Sequence, residues 1–234
     1  MSGLVESATA IMRMAERRLD VVAHNIANIS TPGYKRRIGF AGMVAGRPAD
    51  ALPDLTIRND VEQGKLQDTG NPLDLAISGA GYFRLRAGEA TLYTRQGQFH
   101  RNADGLLVTP QGYALQQAGG GDLVVENAVV TIAEDGTVSD GNRPVGRVAL
   151  ERAETEASLA PVGESFFAAG GSAMSDAEGA TVRQGMVEAS NVSLGDEMTQ
   201  SMAALRQAET GARLIQLYDD LMGRAVTAFA GGGR

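Results

Sequence analysis

Apolar residues near the start of the chain recur at steps of three or four residues, which is the spacing of one helix face. This first stripe consists of Leu4, Ala8, Ile11, Ala15, Leu19, Val22 and Ile26. No Pro or Gly interrupts residues 5–28, so the pattern predicts a helix over residues 3–28. At its end, Asn25 and Asn28 are predicted to hydrogen-bond neighbouring backbone or subunits. His24 is predicted to be a partly buried packing residue rather than a ligand, because no second His lies near it in sequence.

The helix is predicted to end at the turn formed by Ser30, Thr31, Pro32 and Gly33. The residue before a proline is disfavoured in the α region, and the proline itself has no N–H to continue the helix. Gly33 then supplies the freedom for a turn. The basic run at residues 34–37 is predicted to be solvated or to face an acidic partner.

The middle of the chain has a different pattern. Residues 41–70 are poor in periodicity, and residues 34–70 are predicted to be an extended connector. Residues 71–182 hold short alternating runs, and the Asp104-Gly105 and Asp135-Gly136 pairs are typical of hairpin turns. The pattern therefore predicts an all-β domain of short strands.

Helical spacing returns near the end of the chain, with ten steps between residues 194 and 229, or 3.5 residues per step. This second stripe consists of Leu194, Met198, Met202, Leu205, Ala208, Ala212, Ile215, Tyr218, Met222, Val226 and Phe229. An average of 3.5 residues is coiled-coil spacing. Ser193 is a candidate N-cap for this helix.

The predicted fold class is α+β: long N- and C-terminal helices pair as a coiled coil, and an all-β domain lies between them. The predicted boundaries are 1–33 for the first helix, 34–70 for the connector, 71–182 for the β domain and 183–234 for the last helix. Neither helix can bury its stripe alone, so the termini are predicted to drive assembly. The candidate assembly residues are Leu4, Ile11, Leu19, Asn25, Ile26, Asn28, Met198, Met202, Leu205, Ile215, Met222 and Val226.

Composition narrows the classes of function. The chain has no Cys, two His and no Trp, which excludes thiolate sites and disulfides and weighs against zinc hydrolases. The net charge of −7 and the acidic middle region argue against a nucleic-acid partner. Charged residues interrupt the N-terminal stripe and no apolar run reaches 18 residues, so neither a cleaved signal peptide nor a membrane span is expected.

No nucleophile, cofactor site or metal site is specified by the sequence, so no enzyme activity and no cofactor are predicted. Two alternatives stay open. One is a hydrolase that uses a carboxylate pair from β turns, for which Asp74, Glu134 and Asp135 are the candidates. The other is a coiled-coil adaptor or tube protein, which would follow the same assembly physics.

Several segments resemble, in order, the bacterial flagellar rod and hook proteins. The terminal ones are NIANISTPGYKR at residues 25–36 and VRQGMVEASNVSLGDEM at residues 182–198. The middle ones are TGNPLDLAISGAGYFRL at 69–85, YTRQGQFHRNADGLLVTPQGYAL at 93–115 and RPVGRVAL at 143–150. Chain length and the single β domain leave two rod subunits of the family, the proximal and the distal one. The short connector at residues 41–68, GNPLDLAISG at 70–79 and PVGRVAL at 144–150 look more like the proximal subunit, and the distal subunit is the alternative. The sequence RQAE at 206–209 departs from many relatives, which have an aromatic residue between the Arg and the Glu.

The resemblance implies a structural role. Such subunits are exported unfolded through the flagellar type III apparatus without a cleaved signal. They polymerise helically into the rod of the basal body, in the periplasm, with the terminal helices forming the inner tube. The implied partners are copies of the same chain and neighbouring rod subunits of the FlgB, FlgC and FlgG types.

Overall fold

A computed structural model describes residues 2–42, 54–127, 130–141, 143–155, 159–163, 165–171 and 173–231. The described residues form two compact units. The helical unit is drawn from Met1–Ala27, Arg37–Arg58 and Ser193–Arg234. The β unit is drawn from Asn28–Arg36 and Asn59–Val192. The fold is therefore α+β, with a helix at each end and a largely β middle, as the sequence predicts.

Two long helices dominate the helical unit: α1 spans Ser2–Ala27 and α2 spans Leu194–Gly231. They pack antiparallel, because the end of α1 meets the start of α2. The Asn25 side chain donates to Glu197 at 3.1 Å, and Arg18 donates to Gln207 at 3.0 Å. The unit also holds a two-stranded sheet of β1, Arg37–Gly42, and β2, Asp54–Asn59.

Small side chains let the two helices approach closely. Buried residues recur at seven-residue intervals on both helices: Ala8, Ala15 and Val22 on α1, and Glu197, Ala204 and Gly211 on α2. A Cβ placed on Gly211 would lie 2.6 Å from Met12 Cγ and 3.1 Å from the Ala8 carbonyl oxygen. The backbones therefore come together where a larger side chain would not fit.

The β unit is built from sixteen further short strands among the described residues. They are β3 Leu66–Asp68, β4 Leu75–Ser78, β5 Tyr82–Ala87, β6 Ala90–Thr94, β7 His100–Arg101, β8 Leu107–Val108, β9 Ala114–Leu115, β10 Val130–Ile132, β11 Thr137–Asp140, β12 Arg143–Arg147, β13 Leu150–Ala153, β14 Ala160–Pro161, β15 Phe166–Ala168, β16 Met174–Asp176, β17 Thr181–Gln184 and β18 Met186–Glu188.

A nine-stranded sheet with antiparallel pairing forms the largest part of the β unit. Its main path runs β14-β15-β6-β5-β9-β8-β7, and β13 joins it by pairing with β5 and β16. A meander of β10, β11 and β12 forms a second sheet, and two further pairs join β4 to β17 and β3 to β18. These last two pairs bring the segment before the main sheet together with the segment that leads to α2.

Two apolar clusters support these sheets. The largest fully buried members of the main one include Leu75, Ile77, Phe83, Leu85, Leu107, Leu115 and Leu123. The smaller one consists of Tyr82, Tyr93, Ala153, Leu159 and Phe167. Strand β5 alternates as its sequence predicts, with Phe83 and Leu85 buried while Arg86 is exposed. Both predicted Asp-Gly hairpins are confirmed. Gly105 lies in the turn between β7 and β8, and Gly136 lies in the turn between β10 and β11, each with a positive φ.

The predicted connector is partly strand, because β1, β2 and β3 all begin within residues 34–70. Its residues 43–53 lie outside the described part of the chain. Within the described part, no helix carries an apolar stretch that would reach across a bilayer.

Candidate assembly surface

The first three turns of α2 present their large apolar side chains away from α1. Leu194, Met198, Met202 and Leu205 are 49%, 51%, 57% and 50% exposed. We call these four residues the first apolar face. The side chains that α2 buries over the same turns are those of Glu197 and Ala204, each 1% exposed. In these turns, the large apolar side chains of the second stripe therefore lie on one side of α2, and the residues buried against α1 lie on the adjacent side.

Further along α2, the second stripe turns toward the buried side. Ile215 and Tyr218 are half-buried, whereas Met222 is 37% and Val226 is 64% exposed. On another side of the helix, Leu217 and Leu221 are 56% and 55% exposed, one helical turn apart. We call these two residues the second apolar face.

The first stripe, on α1, is better buried than the second stripe on α2. Its small members are buried, and Ile11, Leu19 and Ile26 are half-buried, whereas Leu4 is 49% exposed. The stripe therefore faces α2 for most of its length. Large apolar side chains exposed on both helices give the helical unit an apolar surface that the described residues do not cover.

Asn25 fixes the end of α1 to the strand that follows. Its side-chain amide donates to the Arg37 carbonyl oxygen at 2.9 Å, and its carbonyl oxygen accepts the Arg37 N–H at 2.9 Å. The same amide also donates to Glu197 at the start of α2. The predicted backbone hydrogen bonding of Asn25 is confirmed, and one side chain ties together α1, β1 and α2.

The turn after α1 belongs to the β unit and is closely packed there. The Thr31 N–H donates to the Asn28 carbonyl oxygen at 3.1 Å, and the Thr31 hydroxyl donates to the Asn28 side chain at 3.1 Å. Gly33 has a φ of 69°, and its N–H donates to the Glu188 carbonyl oxygen at 2.8 Å. A Cβ on Gly33 would lie 2.3 Å from Gln96 N, so the turn requires glycine for space as well as for conformation.

The prediction that the basic run at 34–37 is solvated is wrong for its first two residues. Tyr34 is 1% and Lys35 is 2% exposed. Lys35 does face an acidic group, but within its own chain: its Nζ lies 2.7 Å from Glu188 Oε1 and also donates to the Glu62 carbonyl oxygen at 2.6 Å. Burial lowers the pKa of Lys35, and Glu188 opposes part of that shift by favouring the charged form.

Glu188 is the centre of a buried ionic cluster. Its Oε2 lies 3.2 Å from Arg95 Nη1, and its Oε1 also accepts the Gly64 N–H at 2.9 Å. Arg95 donates in addition to the Gly79 carbonyl oxygen at 2.7 Å and lies over the Tyr82 ring at 5.4 Å. We call Lys35, Arg95 and Glu188 the junction triad, because it holds the segments that lead out of α1 and into α2.

Asn191 completes the connection between these segments. Its carbonyl oxygen accepts the Arg36 N–H at 2.7 Å, and its amide donates to the carbonyl oxygens of Asp60 and Glu62 at 3.0 and 3.1 Å. Sequence reasoning named none of Lys35, Arg95, Glu188 or Asn191 as site residues. The available signal was that all four lie within the segments that carry the family resemblance.

The prediction for His24 is wrong, because its side chain is exposed rather than partly buried. The helix is polar on that side, so His24 lies away from the buried residues Val21, Val22 and Asn25. Across the described ranges, no group of three or more His, Asp and Glu side chains converges as a metal-ligand set.

Comparison with known proteins identifies the class to which this architecture belongs. Three protein-family models match in chain order. Flagella basal body rod protein covers residues 12–35, the flagellar hook protein FlgE/F/G D1 domain covers residues 76–140, and the flagellar basal body rod FlgEFG protein C-terminal covers residues 183–228. The first and last matches contain the turn, Lys35, Glu188 and Asn191, so the junction lies within family-defining segments.

Curated relatives match over nearly the whole chain. The flagellar basal-body rod protein FlgF of Caulobacter vibrioides is 33% identical over 222 positions, covering 90% of this chain and 91% of the relative. FlgF of Salmonella typhimurium is 31% identical over 229 positions, covering 88% and 89%. FlgG of Agrobacterium fabrum is 32% identical over 255 positions, covering 94% and 97%.

The chain therefore belongs to the family of flagellar basal-body rod proteins. The alignment to FlgG spans 255 positions, more than the 234 residues of this chain, and so requires insertions relative to it. The alignments to FlgF do not exceed the chain length. Within the family, the chain is FlgF-like, and the distal alternative is less favoured.

Proposed function

We propose that this protein is a structural subunit of the proximal flagellar rod, and that it polymerises helically through α1 and α2. In the assembled rod the two helices pair as a coiled coil and form the tube that encloses the export channel. The candidate assembly residues on these helices make the contacts between subunits. The role is mechanical: the rod is the drive shaft that transmits torque, and no catalytic step or cofactor is assigned to the chain.

The observation that carries this proposal is the exposed first apolar face of α2. Four large apolar side chains, 49–57% exposed, lie within three turns of one helix. Soluble monomers rarely leave such side chains clustered in water, and clusters of this kind mark interaction sites. Methionine side chains adapt to partners of different shape, which suits a subunit whose neighbours are not all identical.

The proposed partners are other copies of this chain and rod subunits of the FlgB, FlgC and FlgG types. We further propose that the chain reaches the periplasm through the flagellar type III export apparatus, without a cleaved signal peptide. The family membership supports both parts of this proposal.

A point substitution tests the assembly role. Leu205→Asp places a charge in the first apolar face and is expected to abolish incorporation into basal bodies, while the β unit stays folded. Ala203→Asp adds the same charge to an exposed position about 200° away around the helix and serves as the matched control. Basal bodies purified from cells that make each variant give the readout. Normal rods with Leu205→Asp contradict the proposal.

Deletion of the gene distinguishes a proximal rod subunit from a distal rod subunit. Electron cryo-tomography is expected to show a rod that stops near the inner membrane, with no hook. A rod that ends further out indicates a distal subunit, and a complete rod and hook contradicts a rod role.

Hydrogen exchange on the unassembled chain gives an independent test. The β unit is expected to be protected, and α1 and α2 to exchange much faster. Full protection of both helices in the monomer contradicts the view that they depend on assembly.

A further inference from the structure

The two apolar faces of α2 share the same internal spacing. Met198 and Met202 are four residues apart in the first face, and Leu217 and Leu221 are four residues apart in the second. Residues four apart lie one above the other on a helix surface, so each face offers two neighbouring apolar side chains. All four are more than half exposed, at 51%, 57%, 56% and 55%.

The faces lie about five helical turns apart along α2 and on different sides of it. Met198 and Leu217 are separated by 19 residues, as are Met202 and Leu221. Nineteen residues correspond to about 28 Å along the axis and to a rotation of about 100° around it. Each α2 can therefore contact one neighbour with its first face and a different neighbour with its second face.

The second face also lies where α1 gives α2 little cover. Ala8 approaches Gly211, and α1 begins at Ser2, only six residues before Ala8. In contrast, α2 continues for 20 residues beyond Gly211, to Gly231. A helix segment of this length is marginal in water without packing against a partner.

We infer that the first apolar face of α2 in one copy of this chain receives the second apolar face of α2 from the next copy. The two α2 helices run parallel and are displaced by 19 residues, so that Met198 meets Leu217 and Met202 meets Leu221. This inference rests on the proposed function and adds the register of the contact.

A head-to-tail contact explains both faces at once. If two first faces met in a closed dimer, the second faces would stay in water. A contact between different faces leaves one free face at each end of the pair, so copies can be added without closure, which is the property that a helical filament requires.

The absence of Cys from the chain makes the register directly testable by disulfide formation. The double variant Met202→Cys/Leu221→Cys is produced in cells, and purified basal bodies are oxidised. A head-to-tail register gives a ladder of dimers, trimers and longer products from this single chain, because each copy bonds to two neighbours. Each single variant alone gives no ladder.

The matched control is Gln200→Cys/Leu221→Cys, since Gln200 is exposed but lies about 200° from Met202 around the helix. It is expected to give no ladder. If the first double variant fails to enter basal bodies, Met198→Cys/Leu217→Cys tests the same register. A ladder from either double variant, absent from the control, supports the inference.

Two results overturn the inference while leaving the rod role intact. One is dimers alone, formed by Met202→Cys without Leu221→Cys, which indicates a contact between two first faces. The other is no cross-link from either double variant when both are present in basal bodies. Absence of the unmodified protein from basal bodies instead overturns the proposed function itself.

Discussion

The helical unit and the β unit treat their apolar side chains differently. In the β unit, Phe83, Leu85 and Leu115 are all fully buried within one continuous core. In the helical unit, the best-buried positions of α2 are a glutamate, an alanine and a glycine, while Met202 and Leu205 are at least half exposed. The β unit thus buries most of its large apolar side chains within one core, whereas the helical unit leaves several of its own exposed.

The β unit also buries charged side chains together with their ionic partners. The β unit encloses Lys35, Arg95 and Glu188 with side chains no more than 5% exposed, and backbone carbonyls accept from both cations. Burying ions is costly unless they are paired and hydrogen-bonded. All three ions are paired here, and within the described residues only Arg95 Nε among the buried triad atoms has no hydrogen-bond partner. The β unit therefore encloses both its main apolar core and a charged triad, and substitutions inside it are expected to destabilise the chain more than substitutions on α2.

The largest effect is expected at the junction triad. Glu188→Gln removes the only carboxylate of the triad and places an amide donor against Lys35 or Arg95. Removing one partner of a buried ion pair costs about 3–5 kcal/mol, because the remaining charge stays buried without compensation. We expect a loss of that size in the free energy of unfolding of the β unit, measured by urea denaturation of the full chain.

Glu134→Gln is the control, because Glu134 pairs with Arg183 at the surface, where the two side chains are 67% and 45% exposed. Exposed pairs contribute about 0–1 kcal/mol. Equal and small losses for the two variants would show that the triad stabilises the β unit no more than a surface ion pair does.

Much of this architecture follows from local sequence patterns. The two helices, the Pro32-Gly33 stop and both Asp-Gly hairpins were predictable because each depends on residues within a few positions of one another. The junction triad was not predictable from local pattern. Glu188 is 153 residues from Lys35 and 93 from Arg95, and no periodicity relates them.

The orientation of α2 was missed for a different reason. A stripe of apolar residues shows which side of a helix avoids water in the finished assembly, but not which side its own chain covers. In α2, small residues at Ala204 and Gly211 allow close approach of α1, and the larger residues of the first apolar face remain exposed. The apolar period alone does not separate these two sides, because both repeat at steps of three and four.

The next largest effect is expected at Gly33, inside the β unit. Gly33→Ala combines an unfavourable φ of 69° with a Cβ 2.3 Å from Gln96 N and 2.4 Å from the Arg95 carbonyl carbon. The positive φ costs about 1–2 kcal/mol for an L side chain. The backbone clash adds about 1–3 kcal/mol of overpacking.

Gly88→Ala isolates the conformational part of that cost, because Gly88 has a φ of 63° and open space where its Cβ would lie. Urea denaturation of both variants is expected to show a clearly larger loss for Gly33→Ala. If Gly88→Ala is equally destabilising, the turn after α1 is constrained by its φ and not by packing on the β unit.

Smaller effects on stability are expected at two glycines of α2, and substitution by alanine should stabilise the helix at one of them but not at the other. Glycine weakens a helix interior by about 1 kcal/mol relative to alanine, so Gly223→Ala, which meets nothing within 4 Å, should stabilise α2. Gly211→Ala gains the same propensity but places its Cβ against Met12 and the Ala8 carbonyl, so it should be neutral or destabilising. Far-ultraviolet circular dichroism during thermal unfolding of assembled protein measures the difference. Stabilisation by both substitutions would mean that α1 and α2 do not pack at Gly211.

The smallest effects on the free energy of unfolding are expected at two carboxylates of the β unit, Asp140 and Asp122, whose contributions depend on pH and salt in different ways. Asp140 accepts the Asn127 side-chain amide at 2.6 Å and the N–H groups of Glu126 and Asn127, and these hydrogen bonds lower its pKa. Asp122 has a lowered pKa chiefly because Arg86 donates to it. For both groups the folded pKa lies below the unfolded value of 3.8, so their stabilisation is complete above that value and is lost as the pH falls through the folded pKa.

Asp140→Asn and Asp122→Asn should therefore each lower the unfolding free energy near neutral pH, and the difference from the unmodified protein should shrink in acid. Salt separates the two carboxylates. Added salt screens the exposed Asp122–Arg86 pair and should shrink the effect of Asp122→Asn, whereas the hydrogen bonds of Asp140 to neutral donors should be little affected. Unfolding curves across pH at low and high salt provide the measurement. A salt response of equal size at both positions would show that Asp140 acts through distant charges rather than through its hydrogen bonds. That result would remove one of the grounds for treating the β unit as satisfied within its own chain.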